Sequence, residues 1–137
     1  MSAENKALVE RWFEEVWNKG RSEAIDEMMA ADAVAHGLGP DLRGPTEFKN
    51  FHSSFRAAFP DVRVEVDEMI AEGDRVSFRL TASGTHLGDG LGFPATKRPA
   101  RFVVMGSARI ADGKIVEGWN VIDQLGMLSQ LGVVTPP

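Results

Sequence analysis

Apolar residues first recur at helical spacing. Leu8, Val9, Trp12, Phe13, Val16 and Trp17 form one stripe at a period near 3.6, with Ser2 and Glu4 suited to the helix start and Gly20 to its end. A second, shorter helix is predicted from Ser22 to Ala30, capped by Ser22 and buried through Ile25, Met28 and Met29. Ala33 to His36 reads as a brief extended piece before a Gly- and Pro-rich loop that runs through Gly44. Pro45 then takes the first turn of a third helix, where its missing N–H costs nothing. Phe48, Phe51, His52, Phe55 and Phe59 line one side of that helix, and Pro60 stops it.

After Pro60 the period becomes two. Val62, Val64 and Val66 alternate with Arg63, Glu65 and Asp67. Beyond a turn at Glu72-Gly73-Asp74, Val76, Phe78 and Leu80 alternate with Ser77, Arg79 and Thr81, which predicts an antiparallel hairpin. Gly84-Thr85-His86 leads into a stretch from Gly88 to about Pro99, too rich in Gly and Pro for regular structure and expected to form a rim loop. A second hairpin pairs Phe102 to Ile110 with Lys114 to Ile122 across Asp112-Gly113, a dipeptide suited to a tight turn. Both side-chain parities of that hairpin are largely apolar, so one face needs a partner beyond the domain's own helices, and a homodimer through the sheet is the simplest answer. The run closes at Asp123, where Gln124 to Leu131 reads as a short helical segment.

At 137 residues the chain is long enough for one domain with a sizeable core, taken as residues 1–137. No apolar run approaches the roughly 20 residues that span a bilayer, and the polar N-terminus lacks the pattern of a signal peptide, so a cytoplasmic location is the expectation. A net charge of −5 without a basic stripe argues against nucleic acid and leaves small molecules as the expected partners. The absence of cysteine excludes disulfides and thiolate chemistry, and the absence of tyrosine excludes mechanisms that need a phenol.

Candidate chemistry concentrates in the closing stretch and in three histidines. Asp123 fits the N-cap of the short helix and is also a candidate acid or base. Asn120 has the opposite strand parity to Asp123, and a polar residue on an apolar row needs a partner when buried. His36, His52 and His86 come from three different elements, none with metal-type spacing, and each is either a structural histidine or a proton carrier. Trp17, Phe51, Phe55, Met105 and Trp119 are core residues able to double as walls for a hydrophobic ligand, and His86 sits at a strand end beside the rim loop.

The order of elements resembles the cone-shaped α+β barrels of the nuclear-transport-factor-2-like superfamily, in which three N-terminal helices close a curved antiparallel sheet. Within it the chain resembles the SnoaL-like polyketide cyclases. The matching pieces are Val16-Trp17-Asn18-Lys19-Gly20, Gly44-Pro45, Gly84-Thr85-His86, Gly92-Phe93-Pro94-Ala95-Thr96, Arg109 to Ile115, Asp123-Gln124-Leu125-Gly126 and Gln130-Leu131-Gly132. The resemblance implies a cofactor-independent intramolecular aldol condensation, served by an aspartate near the end of the last strand and a histidine on the neighbouring strand. It also implies a pocket lined in part by Trp17.

Carried over without gaps, the family's aspartate falls at Asn120 and its histidine at Gly106, while Asp123 matches a second acid three residues on. A carboxamide cannot take up a proton near neutral pH. Asn120 is therefore expected to orient a substrate carbonyl or a water, and His36 and His52 are the preferred replacement bases. The alternative is a binding domain that kept the pocket and lost the acid. A reading as an epoxide hydrolase or steroid isomerase is weakened by the missing tyrosine.

Overall fold

The computed structural model describes residues 2–135. Helix α1 spans Ser2–Trp12 and continues through a π-helical turn, Phe13–Asn18, into a tight bend at Gly20. Helix α2 is Glu23–Met28. Strand β1 follows at once, Met29–His36, then the two-residue strand β2, Leu42–Arg43, and helix α3, Gly44–Ala58. Strands β3 (Arg63–Glu72), β4 (Arg75–Thr85), β5 (Pro99–Ala111) and β6 (Lys114–Ile122) form two hairpins, and helix α4, Gln124–Gln130, closes the chain.

Among the described residues the six strands make one sheet in the order β2-β1-β6-β5-β4-β3. The sheet is open, with β2 and β3 as its edges, and it is mixed, because β1 runs parallel to β6. Both points correct the expectation of a closed, wholly antiparallel barrel. The parallel partner comes from Met29 to His36, whose first two residues the apolar pattern assigns to the end of the second helix. The helices also differ from three in an N-terminal row: β1 and β2 intervene before α3, and α4 lies at the other end of the chain. Ser22 makes no side-chain capping bond, so α2 begins without the predicted cap.

One apolar core fills the space between helices and sheet, with Val9, Phe13, Val16, Ile25, Phe59, Val76, Phe78 and Phe102 all buried. The first helix is pinned to the rest of the domain at its irregular end. His52 donates to the Val16 carbonyl at 2.7 Å and Arg56 to the Trp17 carbonyl at 2.7 Å, satisfying acceptors that the end of the helix leaves open. Asn18 docks on the free edge of β3: it accepts from the Val64 N–H at 2.6 Å and donates to the Val64 carbonyl at 3.0 Å. Among the described residues no helix is long and apolar enough to cross a membrane.

Candidate active site

The inner face of the sheet and the helices above it line a cavity of about 110 Å³. Val9, Trp12, Phe13 and Trp17 line it from α1 and its π-helical turn, and Phe48, Phe51 and Phe55 from α3. The sheet contributes Val64, Phe78, Leu80, Phe102 and Val104, and β6 contributes Gly118, Asn120 and Ile122. Strand alternation explains the last three, since they share one parity. A π-helical turn widens the helix and re-aims its side chains, a device common at functional sites. Here it sets Trp17 edge-on to Phe51, Phe55 and His52, with ring centroids 6.1, 5.6 and 4.9 Å away.

None of the lining residues carries an ionisable side chain. Asn120 stands out as a carboxamide in an apolar wall. Ser107, the one hydroxyl along the lining, shares the outward parity of its cross-strand partner Trp119. The Nδ2 of Asn120 lies 3.5 Å from the His36 carbonyl, a long contact that identifies the amino end, because a carbonyl only accepts. Gly37 crosses directly behind it: a Cβ there would stand 1.8 Å from the Asn120 carbonyl oxygen, so only glycine permits the approach. The next residue, Leu38, then reaches the cavity lining from the loop.

Gly106 pairs with Asn120 across β5 and β6. A Cβ at Gly106 would come 2.1 Å from the Trp119 carbonyl oxygen and 2.8 Å from Cζ of Phe78. The space beside Asn120 that a side chain at 106 would enter is thus held by backbone and by the Phe78 ring, itself packed edge-on against Phe13 at 4.9 Å.

Of the residues singled out from sequence, Asn120, Trp17, Phe51 and Phe55 come together around the cavity, and the others lie elsewhere. Trp119 and Met105 have the opposite parity to the lining positions and occupy the outer face of the sheet, where Met105 is 55% exposed. That division was present in the sequence, because Asn120 and Trp119 are neighbours on one strand and cannot both point inward. His36 also belongs to the outer face. It donates through Nε2 to Glu117 at 2.7 Å and through Nδ1 to Asp41 at 3.0 Å, and its ring stacks on Trp119 at 5.5 Å. The two carboxylates, Glu117 first, raise the His36 pKa and favour the doubly protonated ring. Glu117, bonded also by Arg109, is correspondingly lowered. Nothing in the local sequence announced this cluster, whose members are 5 and 81 residues from His36.

His52 is 3% exposed behind Trp17. Burial lowers its pKa, and its bond to the Val16 carbonyl fixes the proton on Nε2. His86 is wholly buried between Phe59 and Phe93. It accepts at Nδ1 from the Thr96 N–H at 3.0 Å, which ties the rim loop down and leaves Nε2–H without a partner among the described residues. Asp123 caps α4, accepting from the Gly126 N–H at 2.9 Å. Among the described residues no group of three or more His, Cys, Asp or Glu is placed to hold a metal.

The family model for SnoaL-like polyketide cyclases matches residues 7–131. The chain is 32% identical over 133 residues to aklanonic acid methyl ester cyclase DnrD of Streptomyces peucetius, covering 94% of this chain and 91% of the relative. It is 31% identical over 122 residues to nogalonic acid methyl ester cyclase of Streptomyces nogalater, covering 85% and 89%. Among solved structures, IdmH from Streptomyces antibioticus, a polyketide cyclase candidate, superposes with a TM-score of 0.82 at 32% identity, covering 94% of this chain and 99% of that one.

Proposed function

The chain belongs to the SnoaL-like polyketide cyclase family, and on that premise we propose that it is a cofactor-independent cyclase, or a related proton-transfer enzyme, for a hydrophobic, carbonyl-bearing, polyketide-like molecule. The observation that supports this reading is the apolar cavity with Asn120 in its wall, at the place where the resemblance sets the reacting group. Trp17, Phe51 and Phe55 bind the ligand's apolar body, and Asn120 orients its carbonyl. An intramolecular aldol closure is proton-neutral overall. The carbon acid loses a proton, the new C–C bond forms, and the attacked carbonyl oxygen ends as a hydroxyl. With no ionisable side chain on the wall, that proton moves between substrate oxygens or through water admitted with the substrate, while Asn120 holds the reacting groups in register.

We further propose that 1–137 acts as one domain and pairs with a second copy through the outer face of the sheet, where Val103, Met105 and Val121 are exposed. The deciding experiment is incubation of the purified protein with aklanonic acid methyl ester and nogalonic acid methyl ester, following ring closure against the uncatalysed rate. Closure faster than the background supports the cyclase reading. Saturable binding of either ester without closure selects the other reading, a binding domain without catalysis, which the carboxamide at 120 favours.

A further inference from the structure

The cavity wall sets a requirement on the polar end of its ligand. None of its side chains is ionisable, so a charged group entering it meets no counter-charge to offset the hydration it gives up. Asn120 offers the wall both a donor and an acceptor, whereas the indole N–H groups of Trp12 and Trp17 can only donate. Its Nδ2 spends at most one N–H on the His36 carbonyl, at 3.5 Å, and its Oδ1 accepts no side-chain or backbone hydrogen bond among the described residues. An acceptor and a second N–H donor therefore stand side by side on one planar group, in an apolar surround where an unmade hydrogen bond is costly. The complementary head is a neutral one that also carries a donor beside an acceptor, and the fused rings of Trp17 and the phenyl groups of Phe51 and Phe55 suit a flat apolar body behind it. The His36 carbonyl dipole points its negative end toward the same spot, which turns away an anionic head as well.

We infer that Asn120 is a specificity-determining residue that selects an uncharged ligand whose head group pairs a hydrogen-bond donor with an adjacent acceptor, and that the cavity rejects the isosteric carboxylate. This rests on the reading of the cavity as the ligand site. It goes beyond that reading in naming the head group and the residue that reads it.

The test uses three probes of one shape: 2-naphthamide, which is neutral with donor and acceptor; 2-naphthoate, its anionic isostere; and naphthalene, which has no head. Binding to the full chain is followed at pH 7 by tryptophan fluorescence and calorimetry. The expected result is 2-naphthamide binding at least about tenfold more tightly than 2-naphthoate, with the acid gaining affinity only as the pH falls toward its own ionisation, at about 4. Asn120→Leu should lose the advantage of the amide over naphthalene. Because the comparison of amide and carboxylate needs only wild-type protein, a poorly folding variant does not remove the test. Naphthalene binding with no preference for the amide, or with the carboxylate equal or tighter, overturns the inference and leaves the cavity reading standing. No binding of naphthalene or the amide overturns both.

Discussion

The imidazole of His36 and the carboxylate of Glu117 meet at 2.7 Å on the outer face of the sheet, directly behind the strand position that turns Asn120 toward the cavity. With Asp41 on the other ring nitrogen, His36 bolts the loop after β1 to β6 across the parallel junction. Both bonds are made together only while the ring carries two protons and the carboxylates carry none. His36 is raised above its ordinary 6.5, so its contribution is whole below 6.5 and is lost as the pH rises through the higher folded value. Glu117 is held below its ordinary 4.5, so its contribution is present above 4.5 and is lost as the pH falls through the lower folded value. Buried His52, lowered by desolvation, tilts the other way and costs stability as the pH falls below 6.5. The informative quantity is therefore the difference in urea unfolding free energy between wild type and His36→Gln. It should be largest between about pH 4.5 and 6.5 and shrink at higher pH. A difference that stays constant from pH 5 to 9 would sink this account.

Gly106 is fixed by its neighbours. A methyl group there must displace the Trp119 carbonyl, at 2.1 Å, as well as the Phe78 ring, at 2.8 Å. Gly106→Ala is expected to lose about 1–3 kcal/mol in urea unfolding, as overpacking commonly does. Adding Phe78→Ala frees the ring contact but not the backbone one, so the double variant should recover none of the loss caused by the carbonyl. Full rescue by Phe78→Ala would show that the strand backbone yields easily and that a histidine at 106 could be accommodated.

Much of this architecture was legible in the chain. Three of the helices, both hairpins and the α4 cap at Asp123 follow from periodicity and turn chemistry, because each depends on residues close in sequence. The open, mixed sheet was not, because the parallel pairing of β1 with β6 joins residues about 80 positions apart, and a two-residue strand such as β2 carries no period. The candidate site divided in the same way. Trp17, Phe51 and Phe55 fell on faces that helical spacing defines, and Asn120 on a face that strand parity defines. His36 was drawn toward the cavity on its residue type, whereas its place was decided by Glu117 and Asp41, partners that only the fold brings near.

Asn18 closes the open edge of β3 with both ends of its carboxamide, at 2.6 and 3.0 Å from Val64 N and O. Removing the amide leaves backbone groups on a buried residue without partners, a loss of about 1–3 kcal/mol. Asn18→Ala should therefore lower the urea midpoint with little change in slope. It should also weaken naphthalene binding, because Trp17 precedes Asn18 in the same π-helical turn. Asn18→Asp, which keeps the acceptor for the Val64 N–H but loses the donor, should fall between the two. An alanine variant as stable as wild type would mean that water replaces the amide at that edge without cost.

Asn120→Asp brings back the acid that the family resemblance puts at this position, yet it does so in a wall with no cation and with the His36 carbonyl beside it. Desolvation and that dipole both oppose the charge, so the new carboxyl should titrate above the ordinary carboxylate range. A folded pKa raised above the unfolded one means the native state holds the proton more firmly, and stability relative to wild type must fall as the pH rises through the folded value. The variant should match wild type near pH 4 and lose about 1–3 kcal/mol by pH 8, read from paired urea titrations. Turnover should change in kind as well. Cyclisation by the wild type draws no ionisation from the cavity wall, whereas the variant should show a new limb that rises as the introduced carboxyl loses its proton and becomes a base. A variant whose stability difference and pH–rate profile both stay flat from pH 4 to 8 would place position 120 outside the reacting space.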